Sequence, residues 1–196
     1  MVYKLFHLPD SDIIEQIKSG DSAAFRRLFE EYKDRVYNTS LGILQNVSDA
    51  EDTVQDVFVE IFNSIGKFRG DSSPGTWIYR ITLNKCFEHI RKSKRRKRFG
   101  FMESIFGEKS ESLNLPYFNH PGVIMENKER SAVLFRAVEK LNDSQKSAFV
   151  LSKIERLSVK EISSIMNLTE SSVESLLHRA KNNLKKLLSD YYNSGL

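Results

Sequence analysis

The sequence predicts an all-α chain made of two small helical domains joined by an extended linker. Three observations carry this reading. Apolar residues recur at helical spacing through both halves. Ser, Thr, Asp or Asn stands in front of several of these runs, as helix N-caps require. The few glycines (9) and prolines (4) include a cluster between residues 99 and 128, where no period is sustained. A chain of 196 residues that is 40% hydrophobic can build one or two small cores. The expected division is 1–98, a linker over 99–128, and 129–196.

The first half predicts four helices. A short one covers Asp12–Lys18. A second runs from Ala23 to about Gln45, with Phe25, Leu28, Phe29, Tyr32, Val36, Ile43 and Leu44 in helical register and Ser40 as a polar break. The third opens on Ser48-x-x-Glu51, read as a capping box. Its Val54, Val57, Phe58, Ile61, Phe62 and Ile65 form one apolar stripe. The fourth starts at Ser73-Pro74, with proline where the first helical turn tolerates it, and extends to about Arg98.

Residues 99–128 contain Gly100, Gly107, Gly122, Pro116 and Pro121, and also Phe99, Phe101, Phe106, Tyr117 and Phe118. Disordered linkers are usually poor in aromatics, so this one is expected to lie against another surface. The second half predicts helices over about Glu129–Leu141, Ser144–Glu155, Val159–Met166 and Glu170–Ser189. Asp143 reads as one N-cap, and Ser158-x-x-Glu161 as a capping box.

Charge is distributed unevenly. Residues 1–62 hold 12 acidic and 6 basic side chains, whereas residues 63–98 hold 2 acidic and 11 basic. Such asymmetry suits a protein with two unlike partners. The single cysteine, Cys86, excludes an intramolecular disulfide and fits a reducing cytosol. The start MVYKLFHLP is too short for a signal-peptide apolar region. No run of about 18 apolar residues is present. A soluble, cytoplasmic chain without membrane insertion is expected.

Near the C-terminus, SVKEISSIMNLTESSVESLLHRAKNNLKKLL reads as a helix-turn-helix. A short helix carries Val159, Ile162, Ile165 and Met166, and a turn follows at Asn167-Leu168-Thr169. The longer helix puts Val173, Leu176, Leu177, Ala180, Leu184, Leu187 and Leu188 on one stripe. Its other face shows Ser171, Ser175, His178, Arg179, Asn182 and Lys186, side chains suited to phosphates and base edges in a major groove. The alternative is an ordinary surface helix. Glu174 flanks this face, where it would orient an arginine or accept from a cytosine amino group.

On the third helix, the face opposite the apolar stripe shows Asp52, Gln55, Asp56, Val59 and Asn63. Taken alone it reads as a solvated surface. Asp52 and Asp56 lie one turn apart but lack a third ligand or a histidine for a metal. The fourth helix ends in RKSKRRKR, seven cations in eight residues. Before it stand Trp77, Tyr79, Arg80 and Asn84, with Phe68 and Arg69 in the preceding loop. Aromatics beside cations can stack on unpaired bases while holding the backbone. Core packing is the alternative role for Trp77.

Together these segments resemble the sigma-70 family of bacterial transcription initiation factors, in particular its short extracytoplasmic-function (ECF) branch. DAEDTVQDVFVEIF is similar to the family's region 2.2, FRGDSSPGTWIYRITLNKCFEHIRK to regions 2.3 and 2.4, and the helix-turn-helix to region 4.2. The resemblance implies a non-enzymatic factor without a cofactor. Its partners would be core RNA polymerase (largest-subunit coiled coil and flap), promoter DNA and, as for many ECF factors, an anti-sigma factor. It implies that Asp52, Gln55, Asp56, Val59 and Phe62 contact polymerase. Lys67, Phe68, Arg69, Trp77, Arg80, Ile81 and Asn84 would open and read the −10 element, where unstacking a base costs a few kcal/mol. Ser171, Ser172, Glu174, Ser175, His178, Arg179 and Asn182 would read the −35 element. Asn167 replaces the glycine frequent in the family's turn, and asparagine can also adopt the left-handed conformation. Glu174 and Leu176 replace a common lysine and arginine, which changes the expected sequence preference but not the class.

The linker fits this use. About 30 residues span at most ~100 Å when taut, and a free coil of that length averages ~30 Å. Two elements two helical turns apart are separated by ~70 Å, so the linker reaches only if held extended. The competing reading is a helix-turn-helix regulator that does not replace a sigma factor and needs no acidic docking helix. A nuclease using the carboxylates is a third, for which the sequence offers no convincing site.

Overall fold

The computed structural model describes residues 11–103 and 128–194. Among these the chain forms eight α-helices and no strand: α1 Ser11–Lys18, α2 Ser22–Leu44, α3 Val47–Ser64, α4 Pro74–Glu103, α5 Lys128–Glu139, α6 Asp143–Lys153, α7 Val159–Met166 and α8 Glu170–Ser194. A 3₁₀ turn, Ile65–Lys67, follows α3. The all-α expectation holds. The part of the expected linker from 104 to 127 lies outside the described residues, and α4 continues past Arg98 to Glu103.

The helix boundaries follow from local chemistry. Asp21 caps α2, its carboxylate accepting from the amides of Ala23 and Ala24 at 2.8 and 3.2 Å. The second helix ends on Gln45, whose left-handed backbone (φ 59°, ψ 23°) turns the chain sharply into α3. Two expected caps are corrected. Asn46, not Ser48, caps α3 by accepting from the Asp49 amide. Asn142, not Asp143, caps α6 by accepting from the Gln145 amide. In both cases Asn, with its carbonyl oxygen, precedes the residue that pattern favoured. The Ser158/Glu161 capping box of α7 is present as read. Asn167 ends α7 in the left-handed region (φ 53°, ψ 49°), so it does take the conformation glycine would supply.

Three apolar clusters hold the helices. The first joins α1, α2, α3 and the start of α4 through Ile14, Leu28, Tyr32, Val36, Val57, Ile61 and Ile78, among others. The third packs α5 on α8 through Ala137, Val138, Leu141, Ala180 and Leu184. The second was not foreseen. It unites Ile43 of α2 and Tyr79, Leu83 and Cys86 of α4 with Val150 and Leu151 of α6, Ile162 and Ile165 of α7 and Val173 of α8. The two halves therefore share a core. Gly42 permits this: a Cβ there would stand 2.9 Å from Val150 Cγ2 and 3.0 Å from its Cγ1, so only glycine lets α6 cross α2 this closely.

Candidate nucleic-acid and partner interfaces

One face of α3 stays off every core. Asp52, Gln55 and Asp56 are exposed, and Val59 and Phe62 are 60% and 65% exposed. Periodicity had placed Phe62 in the core stripe. Eight residues at 100° each rotate it about 80° from Val54, enough to carry it out. Its ring meets the ring of Phe25 edge-on at 5.5 Å, which steadies the aromatic without burying it. The result is an apolar knob that follows two exposed carboxylates, Asp52 and Asp56, along the helix.

Beyond α3, Lys67 and Arg69 are exposed, and Arg69 pairs with Asp71 at 3.3 Å. Gly70 turns this loop at φ 79°, a backbone shape that side chains disfavour. Ser73 then caps α4 by accepting from the Thr76 amide at 3.2 Å. The loop and helix bring Phe68 against Trp77, with ring centroids 5.1 Å apart at 49°. Both rings are half-buried over the first core. Trp77 thus has a packing role and also an accessible edge.

Ile81 requires correction. At 9% exposure it belongs to the first core, beneath the α4 surface rather than on it. Asn84 is exposed. Arg80 is engaged: its Nε and Nη2 donate to the Ser164 carbonyl at 3.0 and 2.7 Å. That carbonyl lies in the last turn of α7, where backbone acceptors lack helical partners and the helix dipole is negative. Arg80 and Asn84 line a cleft of about 560 Å³ together with Phe87, Ile165, Met166 and Leu168.

Farther along α4, Lys85 pairs with Glu60 at 3.1 Å and His89 contacts Asp49 at 3.2 Å, clipping α4 to α3. Arg91, Lys92, Lys94, Arg95 and Arg96 project along the surface, and Lys94 reaches Asp143 of α6 at 3.1 Å. The side chains of Lys97 and Arg98 lie outside the described residues.

On α8, Val173, Ala180 and Leu184 face inward, while Ser171, Ser172, Glu174, Ser175, His178, Arg179 and Asn182 are all exposed. Thr169 Oγ1 caps the helix by accepting from the Ser172 amide at 3.2 Å. Glu174, Ser175, His178 and Arg179 line one shallow groove of about 300 Å³. The face read as a base-contacting surface is therefore assembled and open to solvent.

A buried polar contact, missed in the sequence, ties the halves. Tyr79 Oη of α4 donates to Glu155 Oε2 at 2.6 Å. Glu155 is 5% exposed and sits in the α6–α7 turn, where Arg156 adopts a left-handed φ of 57°. From α2 the carboxyl also feels Arg35 and Thr39, yet Glu155 Oε1 and Thr39 Oγ1 find no hydrogen bond of acceptable geometry. Burial pushes the Glu155 carboxyl from 4.5 up to about 7, against the lowering effects of Tyr79, Arg35 and Thr39. Burial likewise pushes the Tyr79 hydroxyl upward, reinforced by Glu155. A glutamate two residues after α6 and a tyrosine on the back of α4 were the available signals, but neither has a helical period linking it to the other.

The sign of the pH effect follows. The folded chain keeps a proton on Glu155 that the unfolded chain releases above about 4.5, so this group makes stability fall as pH rises from about 4.5 to about 7 and level off beyond. Glu155→Gln removes the slope. The melting-temperature difference, variant minus wild type, is expected to grow between about pH 5 and about pH 8, worth up to roughly 3 kcal/mol. Parallel curves in thermal melts would contradict this.

Comparison with known proteins fits these surfaces. The Sigma-70 region 2 family matches residues 28–96, and Sigma-70, region 4 matches residues 131–184. The ECF RNA polymerase sigma factor SigW of Bacillus subtilis (strain 168) is 32% identical over 182 residues, covering 90% of this chain and 95% of that one. The chain belongs to the sigma-70 family, in its ECF branch. The ECF RNA polymerase sigma-E factor of Escherichia coli (strain K12) is 30% identical over 175 residues, 89% of this chain and 91% of the other. Among solved structures, CnrH in complex with the cytosolic domain of CnrY superimposes with a TM-score of 0.66 at 23% identity, covering 91% of this chain and 96% of that one. The sigma factor RpoE with the anti-sigma factor NepR from Bartonella quintana gives 0.65 at 20%, covering 84% and 96%. Both share the fold. This sigma factor therefore acts in transcription initiation, binding core polymerase and promoter DNA. No helix among the described residues is long and apolar enough to cross a membrane.

Proposed function

We propose that the α3 face of Asp52, Gln55, Asp56, Val59 and Phe62 is the polymerase-docking surface, that the loop and helix from Lys67 to Asn84 open and read the −10 element, and that α8 reads the −35 element. The observation that carries this reading is the exposure of Val59 and Phe62 on the helix that also exposes Asp52 and Asp56. An aromatic kept in water beside fixed charges suits a protein partner. Phe68 and Trp77 supply stacking surface for an unpaired base, and Lys67 and Arg69 supply phosphate affinity. Ile81 acts from beneath, by holding the α4 backbone. The division at about 98 and 129 marks the two DNA-reading units, although they share a core. The same docking face suits an anti-sigma factor, the kind of partner named for the Bartonella protein.

Arg179→Ala tests the assignment of α8. Arg179 is exposed and lines the α8 groove, so its loss is expected to weaken promoter-dependent transcription about tenfold, or more for a bidentate base contact, and to leave core binding unchanged. Equal loss of both, measured by run-off transcription and polymerase pull-down, would contradict the assignment. A regulator that does not replace a sigma factor would bind duplex DNA without polymerase and give no start-site-specific transcript from core enzyme.

A further inference from the structure

We propose that Glu174 is a specificity-determining residue of α8, accepting a hydrogen bond from the amino group of one cytosine in the −35 element. The inference rests on the assignment of α8 to that element, and adds to it one base pair that the chain demands. Two roles suit a carboxylate here, orienting an arginine or meeting a cytosine, and the surroundings of Glu174 favour the second.

Among the described residues no side chain pairs with Glu174. Its neighbours three and four positions away on the helix are Glu170, Ser171, Leu177 and His178. Glu170 repels it. His178 is engaged by Asn182, whose Nδ2 stands 3.4 Å from each ring nitrogen. Arg179, five residues on, lies about 140° around the helix, the wrong side for an ion pair. The helix dipole does not account for the carboxylate either, since α8 begins at Glu170 and Glu174 stands past its first turn. What remains is the surface it shares. Glu174 and Arg179 form the two edges of the groove of about 300 Å³, with Ser175 and His178 between them.

The chemistry of the major groove selects the base. An ionised carboxylate only accepts hydrogen bonds. Phosphate oxygens, guanine O6 and N7 and thymine O4 are acceptors as well, and repel it. The donors on the base edges are the amino groups of cytosine and adenine. Adenine N6 lies beside N7, an acceptor that the carboxylate would meet at the same time, whereas the cytosine amino group has no acceptor next to it on its own base. Cytosine therefore satisfies Glu174 at least cost. Arg179 has the opposite preference, since a guanidinium donates to guanine O6 and N7 together. Along the helix axis the two residues are about 7.5 Å apart, roughly two base steps, so they read separate pairs. The −35 element is expected to hold a cytosine and a guanine within about two base pairs of each other.

The test is run-off transcription by core polymerase carrying the full chain, on a promoter library randomised across the −35 element, with the transcribed templates counted by sequence. The wild type should favour cytosine over the next base by about tenfold at one position. Glu174→Gln should move the preference at that position to adenine, because an amide both accepts from N6 and donates to N7. Glu174→Ala should erase the preference and raise output from templates that lack the cytosine, since a charge that repels phosphate is gone. The side chain is exposed and both replacements are good helix formers, so α8 keeps its fold. If Glu174→Gln keeps the wild-type preference, or Glu174→Ala raises output equally on every template, the carboxylate merely repels phosphate and the cytosine contact is overturned. Arg179→Ala tells that failure from failure of the α8 assignment. Loss of a guanine preference in Arg179→Ala, with the Glu174 variants unchanged from wild type, removes the cytosine contact alone. If neither residue alters any preference in the −35 element, α8 does not read it.

Discussion

Core-polymerase affinity is expected to fall about 100-fold when Asp52 and Asp56 are both changed to lysine, because reversed charge at a docking face costs several kcal/mol. Both side chains are exposed and neither belongs to a core, so the melting temperature should move little. Phe62→Asp should act in the same direction for a different reason, by removing the 65% exposed aromatic that is the natural anchor of the face. Phe58→Asp is the contrasting control. That ring is 6% exposed and packs on Phe29 at 4.7 Å, so a carboxylate there unfolds the first core. Fluorescence-anisotropy titration with core enzyme, alongside thermal melts, distinguishes loss of docking from loss of fold.

The second large effect concerns promoter opening. Stacking of a base on an aromatic is worth about 1–3 kcal/mol, so Trp77→Ala should reduce opening of a duplex promoter by about 10- to 100-fold. A promoter with the −10 strands already unpaired should recover most of the lost transcription. Trp77 also covers the first core beside Phe68, so some stability goes with it. Trp77→Phe keeps the packing and a smaller stacking surface, and should fall between the two. Permanganate reactivity of unpaired thymines measures the opening directly. If the pre-opened template were transcribed as poorly as the duplex, Trp77 would be acting through packing alone.

Much of this was legible because helices write their inward faces at 3.6-residue spacing. The Ser158/Glu161 box, the left-handed Asn167 and the exposed polar face of α8 are all local features, and each was readable within a few residues. Phe62 and Ile81 were misplaced for one reason. A stripe has edges, and side chains near an edge go in or out according to what neighbouring helices leave uncovered. Asn46 and Asn142 were passed over because more than one capping residue stood within two positions, and only backbone geometry chooses among them.

The shared core was illegible for a deeper reason. Tyr79, Leu83 and Cys86 form a second apolar stripe on α4, while Ile78 and Ile81 face the first core. A helix apolar on two sides must be covered twice, but nothing nearby in sequence says by what. The cover comes from Val150, Leu151 and Ile162, beyond the expected linker. Gly42 marked the crossing, and a lone glycine inside a helix does not reveal its neighbour.

Run-off transcription with purified core polymerase across a promoter library, using the wild-type chain, the Asp52→Lys/Asp56→Lys chain and Arg179→Ala, tests the assignment of surfaces most directly. The expected result is start-site-specific transcripts with the wild type, strongly reduced output with the lysine pair at chain concentrations that saturate core with the wild type, because little holoenzyme forms, and reduced output with Arg179→Ala despite intact core binding. Wild-type transcription by the lysine pair, or transcripts from core enzyme that do not depend on the added chain, would contradict it.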